Sequence, residues 1–239
     1  MQNPRNARRT RVAIAAVFLS AVSILAGAPA FSAPPPAGYP TQQVMATANN
    51  PSVANIPIRR GFWDADAAEG FGLDKAWHYH NITTVTGQVK VMMSPNVTLQ
   101  GNGNYRLTAY ANKQECVVRN GVRECTIVEE IPVVGVYNPD VKDTYFGWPV
   151  NGVLGMQTMY CDQGGAVKCP SWVWLSLQNI GIASDSARSA DPGFSVESGL
   201  TAEQQIDQLE NLETPEMLAL EEQVLTGEVV LGGSYEPQS

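Results

Sequence analysis

The chain has 239 residues, with 15 Lys and Arg against 23 Asp and Glu and a formal net charge of −8. The acidity sits at one end: residues 181–239 carry one basic residue, Arg188, against twelve acidic ones, whereas residues 31–180 carry ten against eleven. Such a balance repels nucleic acid and anionic lipid, so neither is expected as a partner.

Arg5, Arg8, Arg9 and Arg11 precede the apolar run VAIAAVFLSAVSILAGA, which is too short in large side chains for a comfortable membrane span. Residues 1–30 read as a signal peptide, with cleavage after Ala28-Pro29-Ala30 and a mature start at Phe31. No second apolar span follows. The expectation is a secreted, extracellular protein of bacterial type, with no membrane insertion after signal removal. Loss of the four arginines takes the formal charge from −8 to −12.

Residues 31–57, rich in Pro, Ala, Asn and Gln, read as an extended spacer. Beyond them, FWDADAAEGFGLDKAWHYHN, residues 62–81, gathers both histidines, two of the five tryptophans and four carboxylates. Asp64-Ala65-Asp66 starts like a calcium loop, but Ala68, Glu69 and Lys75 stand where a third oxygen ligand, the glycine and the bidentate glutamate belong. Asp74 can cap a short helix from Lys75, with Asn81 ending it. An earlier start would set Asp74 and His78 at i and i+4 as a carboxylate–imidazole pair. His78 and His80 share a face only on a strand, so no metal site is assigned. The segment reads first as packing, with Phe62, Trp63, Phe71, Trp77 and Tyr79 anchoring the helix on the sheet and filling the space between; as a binding surface, which makes it the candidate site, it would act through Trp63, Asp64, Asp66, Trp77, His78 and His80.

From residue 58 to residue 180 the texture is that of a disulfide-stapled β domain. The runs ITTVTGQVKVMM, NVTLQ, YRLTAYA, CVVR, VRECTIVEE, IPVVGVY, VLGMQTMY and WVWLSLQ are split by SPN, GNGN, NG, NPD and QGG. The fold class is mainly β, an antiparallel sandwich or barrel-like core with a short helix before it. In CVVRNGVREC, Asn120-Gly121 suits a two-residue type I′ hairpin, which pairs Arg119 with Val122 and brings Cys116 opposite Cys125 at a non-hydrogen-bonded position. Cys161 then pairs with Cys169. Spacings of nine and eight between cysteines do not suit zinc.

Residues 181–239 read as an acidic linker and two amphipathic helices, the first opened by Thr201-Ala202-Glu203-Gln204 and the second by Thr214-Pro215 and stopped by Gly227. Ile206, Leu209 and Leu212 stripe the first, and Met217, Leu218, Leu220, Val224 and Leu225 the second.

No nucleophile elbow, zinc-protease helix or phosphate loop is present, and no cofactor is expected. The favoured function is a non-enzymatic binding or interaction protein at or outside the cell surface, recognising a glycan or a protein. One alternative is a secreted hydrolase using Asp74, Glu69, His78 and His80. Another is a protease inhibitor presenting Arg119 on the Cys116–Cys125 hairpin. N-terminal sequencing of the exported protein should read Phe31-Ser32-Ala33; retention of residues 1–30 would overturn the signal assignment.

Overall fold

The computed structural model describes residues 35–53, 55–165, 167–180, 194–195, 220, 223–224 and 226–238. The signal segment and the first tail helix expected from the sequence lie outside them. The strands are β1 (Val44–Asn49), β2 (Asn55–Arg59), β3 (Phe62–Asp64), β4 (Glu69–Phe71), β5 (Val97–Leu99), β6 (Tyr105–Arg119), β7 (Val122–Tyr145), β8 (Trp148–Cys161), β9 (Phe194–Ser195) and β10 (Val229–Ser234). The helices are α1 (Gly72–His78), α2 (Val85–Met92) and α3 (Ser171–Gln178).

The organising element is the β6–β7 hairpin. Asn120 and Gly121 both take positive φ, +54° and +78°, as a type I′ turn requires. The register runs from Arg119↔Val122 through Cys116↔Cys125 to Tyr105↔Tyr137. The Cys116 N–H donates to Glu228 O at 2.8 Å, pointing away from β7, so the cysteines occupy the expected non-hydrogen-bonded pair, with Cα atoms 4.0 Å apart. Both disulfides form as the sequence indicates, Cys116–Cys125 and Cys161–Cys169, and no described cysteine is free.

Around this hairpin the main sheet grows in the order β10-β6-β7-β8, all antiparallel, with β5 also on β6. Because β7 occupies one side of β6, β5 and β10 share its other side end to end, β5 opposite residues 105–107 and β10 opposite residues 110–115. A smaller sheet, β2-β1-β9, and the β3-β4 hairpin complete the strands. The protein is mainly β and antiparallel; a sandwich or barrel closure is not seen among the described residues.

Two runs expected as strands are helices. Val85–Met92 is α2, opened by Thr84, whose hydroxyl accepts the Gly87 N–H at 3.3 Å. Its β-branched valines argue for a strand on propensity alone, but packing overrides them: Val89, Val91 and Met92 are fully buried, the last two close to Gly135 of β7. WVWLSLQ is α3, and its alternation misleads because the segment is buried nearly all round, Trp172, Val173, Trp174, Ser176 and Leu177 alike. These helices supply the layer against β6, β7 and β10 that sequence reading assigned to a second sheet.

Residues 44–57 correct the spacer reading. β1 and β2 pair from Val44↔Arg59 to Asn49↔Asn55, and Met45, Ala46, Ala48, Ile56 and Ile58 enter the main core. Small alanines at β1's inward positions give the stretch little hydrophobic signal. At the other end, residues 220, 223, 224 and 226 are helical, and Gly227, with φ +76°, ends that turn as expected. Residues 229–234, read as part of a helical acidic extension, instead form β10. No helix among the described residues is long and apolar enough to cross a membrane.

β2 lies so close to β8 that a Cβ on Gly155, at φ +81°, would stand 2.0 Å from Pro57 O. Gly155→Ala should therefore lose about 3 kcal/mol or more of unfolding free energy. Gly103→Ala, at φ +83° in open space, should lose only about 1 kcal/mol. Equal losses in urea denaturation would show that this approach does not hold the two sheets together.

Candidate functional site

Residues 62–81 fold as a short hairpin running into a helix. β3 and β4 pair Phe62↔Phe71, Trp63↔Gly70 and Asp64↔Glu69. The calcium-like loop becomes the hairpin turn: Asp64 Oδ1 accepts the backbone N–H of Asp66 at 2.9 Å and of Ala67 at 3.2 Å. Asp64 is thereby buried in its own turn, while Asp66 is exposed. Among the described residues no three His, Cys, Asp or Glu side chains converge on a metal position.

α1 begins at Gly72, earlier than a cap at Asp74 would place it, so Asp74 lies in its first turn and His78 in its last. The helical spacing of four is realised, and His78 acts on Asp74 through its charge. The direct partners of Asp74 come from elsewhere. Tyr39 donates its hydroxyl to Asp74 Oδ2, and Arg60 Nε donates to the same Tyr39 hydroxyl at 3.0 Å while standing 3.9 Å from Asp74 Oδ1. The Asp74 N–H bonds Arg60 O at 3.0 Å, and the guanidinium lies 5.1 Å above the Tyr39 ring. With its side chain only 4% exposed, Asp74 is a carboxylate whose oxygens are already committed. Burial raises its pKa, opposed by the Tyr39 bond and the Arg60 charge. Burial and Asp74 together push the Tyr39 hydroxyl up to about 12.

The other named residues lie in a second arrangement. Trp63 stacks on Tyr79 with centroids 4.4 Å apart, Lys75 Nζ sits 5.7 Å from the Trp63 ring, Tyr79 meets His80 edge-on at 4.5 Å, and His80 lies 5.8 Å from Tyr160. His80 Nδ1 donates to Val167 O at 2.9 Å. Its pKa is lowered by burial and by Lys75, against the pull of the Val167 bond. Trp77 packs on the main core and stacks on His78, which is exposed. Phe71 is wholly buried with Trp148, Val150 and Leu154, Phe62 packing beside them. His78 and His80 therefore look to different surroundings, and Glu69 belongs to the hairpin. The structure does not bring Asp74, Glu69, His78 and His80 into one constellation. Tyr39 and Tyr160 reach the site from distant segments, and Arg60 stands just before the 62–81 stretch; none carries a local motif that marks it.

Among the described residues, a group of exposed apolar side chains lies elsewhere. Beyond Ile131 and Lys113 the β6–β7 hairpin continues as a ribbon, and β8 covers β7 only from Val133 onward. Val117, Val118 and Val122 are 50%, 73% and 61% exposed. Register alternation puts Val117 and Val122 on one face and Val118 on the other with the disulfide. Arg119 and Glu124 pair loosely at 3.9 Å, both exposed, and Arg123, one pair from the turn, donates to Gly227 O beside the ribbon. A cleft of about 780 Å³ opens there, between Arg123, Leu175, Asn179, Val224, Val229 and Leu231, and none of residues 62–81 lines it.

Comparison with protein-family models, with curated proteins and with solved structures found no match.

Tyr39 holds its proton more tightly in the folded than in the unfolded chain, so its contribution to stability is complete below pH 10 and is lost as pH rises toward about 12. Tyr39→Phe should flatten that alkaline loss in urea titrations. At neutral pH it should cost about 1–3 kcal/mol, because Asp74 loses its donor. An unchanged alkaline slope would remove Tyr39 from the network.

Proposed function

We propose that the protein is an exported binding module, acting at or outside the cell surface without catalysing a reaction, and that it recognises a protein partner through the β6–β7 ribbon. The observation that carries this reading is the exposure of Val117, Val118 and Val122 on a disulfide-clamped hairpin beyond the packed body. Val117 and Val122 on one face and Val118 on the other present apolar side chains on a rigid element, which is what a recognition surface offers, since little order has to be imposed on binding. Two disulfides suit an oxidising, extracellular setting.

The alternatives have less support. Ring surface that could stack on sugars is engaged within the 62–81 segment, Trp63 stacking on Tyr79 with Lys75 Nζ also close to its ring. That weighs against the glycan reading there. A hydrolase needs a carboxylate facing substrate, and Asp74 faces Tyr39 and Arg60. A protease bait presents an extended segment on both sides of its arginine, but the chain reverses immediately after Arg119, at Asn120-Gly121.

The test is capture from the organism's own secretome on immobilised mature protein, followed by titration of whatever binds. Val118→Glu with Val122→Glu should weaken the captured complex by tenfold or more, about 1.4 kcal/mol, while Trp63→Ala leaves it unchanged. The reverse pattern would move recognition to the aromatic segment. Turnover of a cell-wall glycan abolished by Asp74→Asn would restore the hydrolase.

A further inference from the structure

The turn that sets the hinge of the ribbon is also a reactive dipeptide. Three Asn-Gly pairs occur in the described residues, Asn102-Gly103, Asn120-Gly121 and Asn151-Gly152. In such a pair the glycine's backbone nitrogen, unshielded by a side chain, can attack the asparagine's carboxamide carbon. A C–N bond forms, the carboxamide nitrogen leaves as ammonia with the glycine amide proton, and a cyclic succinimide results. Water then opens that ring at either carbonyl, yielding aspartate or isoaspartate. No oxidant or cofactor enters.

The three pairs differ in what restrains them. Asn102 Oδ1 accepts the Asn104 N–H at 3.1 Å, and the Gly103 N–H itself donates to Gln100 O at 3.0 Å, so carboxamide and nucleophile are both engaged. Asn151 Nδ2 donates to Gln42 Oε1 at 2.9 Å. Asn120 has no such tie among the described residues; it is exposed, and the space beside Gly121 is open. What restrains Asn120 is backbone conformation. At φ +54° it is fixed in the left-handed region by the two-residue loop, and attack requires it to rotate toward an extended form. Such rotation breaks the Arg119↔Val122 pair, and the next firm closure is the Cys116–Cys125 bridge.

We propose that Asn120 is a deamidation site whose rate is set by the Cys116–Cys125 disulfide: the bridge holds the type I′ turn closed, and its loss exposes the dipeptide to succinimide formation. The product alters the ribbon in two ways. A carboxylate appears beside Arg119, and isoaspartate adds a backbone carbon to a loop that the Arg119↔Val122 pairing allows only two residues. The ribbon tip is then rebuilt, whether or not it is a recognition surface.

Full-length mature protein, oxidised, would be incubated at mildly alkaline pH beside the Cys116→Ala, Cys125→Ala double variant, which retains Cys161–Cys169. Deamidation at each Asn-Gly pair would be followed by peptide mapping, with isoaspartate resolved from aspartate. The expected result is roughly a tenfold acceleration at Asn120 in the variant, from freer local opening, with Asn102 and Asn151 unchanged. Asn120→Gln should abolish the signal from its peptide. An unchanged rate at Asn120 would overturn the proposal, and so would a parallel rise at all three pairs, which would mean that the bridge guards the whole fold and not this turn.

Discussion

The β6–β7 ladder is the interaction on which the remaining architecture depends. Its outer register is decided at the tip, where a loop of two residues leaves a single pairing, and the disulfide repeats the same choice three pairs later; a bulge between Lys113 and Gln114 then offsets the inner pairing by one residue. A slip of one residue along the inner stretch would turn Leu107, Ala109 and Ala111 of β6 away from the core and deprive α2 and α3 of the surface they cover. The bridge closes a short loop, so its effect on the unfolded chain is modest, about 2.5–3 kcal/mol in the chain-entropy view. Its larger contribution is to specificity of pairing, in a strand of 24 residues whose outer part no second strand covers.

Polar chemistry is arranged differently, as a strap. Tyr39, Arg60 and Asp74 belong to three separate segments, and their mutual bonds tie the residues before β1 to the start of α1. A buried carboxylate left alone would be costly, and here a phenol and a guanidinium share its oxygens. The same satisfaction removes it from chemistry, because a base that already accepts a tyrosine proton and faces an arginine has nothing to offer a substrate. The neighbouring rings behave alike: Trp63 stacks on Tyr79 and Tyr79 meets His80 edge-on, so the rings stabilise the junction by contact with one another and less of their surface is left for a ligand.

What could be read from the chain in advance was local. The hairpin, both disulfides and the stop at Gly227 follow from residue chemistry at fixed spacing, and each stands in the structure as expected. The helices α2 and α3 were illegible because their periodicity is erased when nearly every position is buried and when valines occupy a helix that packing, not propensity, maintains. Strands β1 and β10 were hidden for the opposite reason: Ala46, Ala48, Gly232 and Gly233 give no apolar rhythm, and only their partners show what they do. In the 62–81 segment the filling of the site by its own aromatics was readable from composition, whereas Tyr39 and Arg60 were not, since nothing in a proline-rich stretch marks a tyrosine as the partner of a carboxylate further along.

The position of β10 bears on how the fold is reached. It lies on β6 with Val229 opposite Glu115, so this pairing joins residues separated by nearly half the chain. As the polypeptide emerges, β6 can zip with β7 at once, but its other edge must wait until the stretch around Val229 arrives. During that interval a row of unpaired backbone groups is available to any neighbouring chain, and the short strand β5 shields only its beginning. On the export route proposed above, this waiting edge is a point at which a holding chaperone would matter.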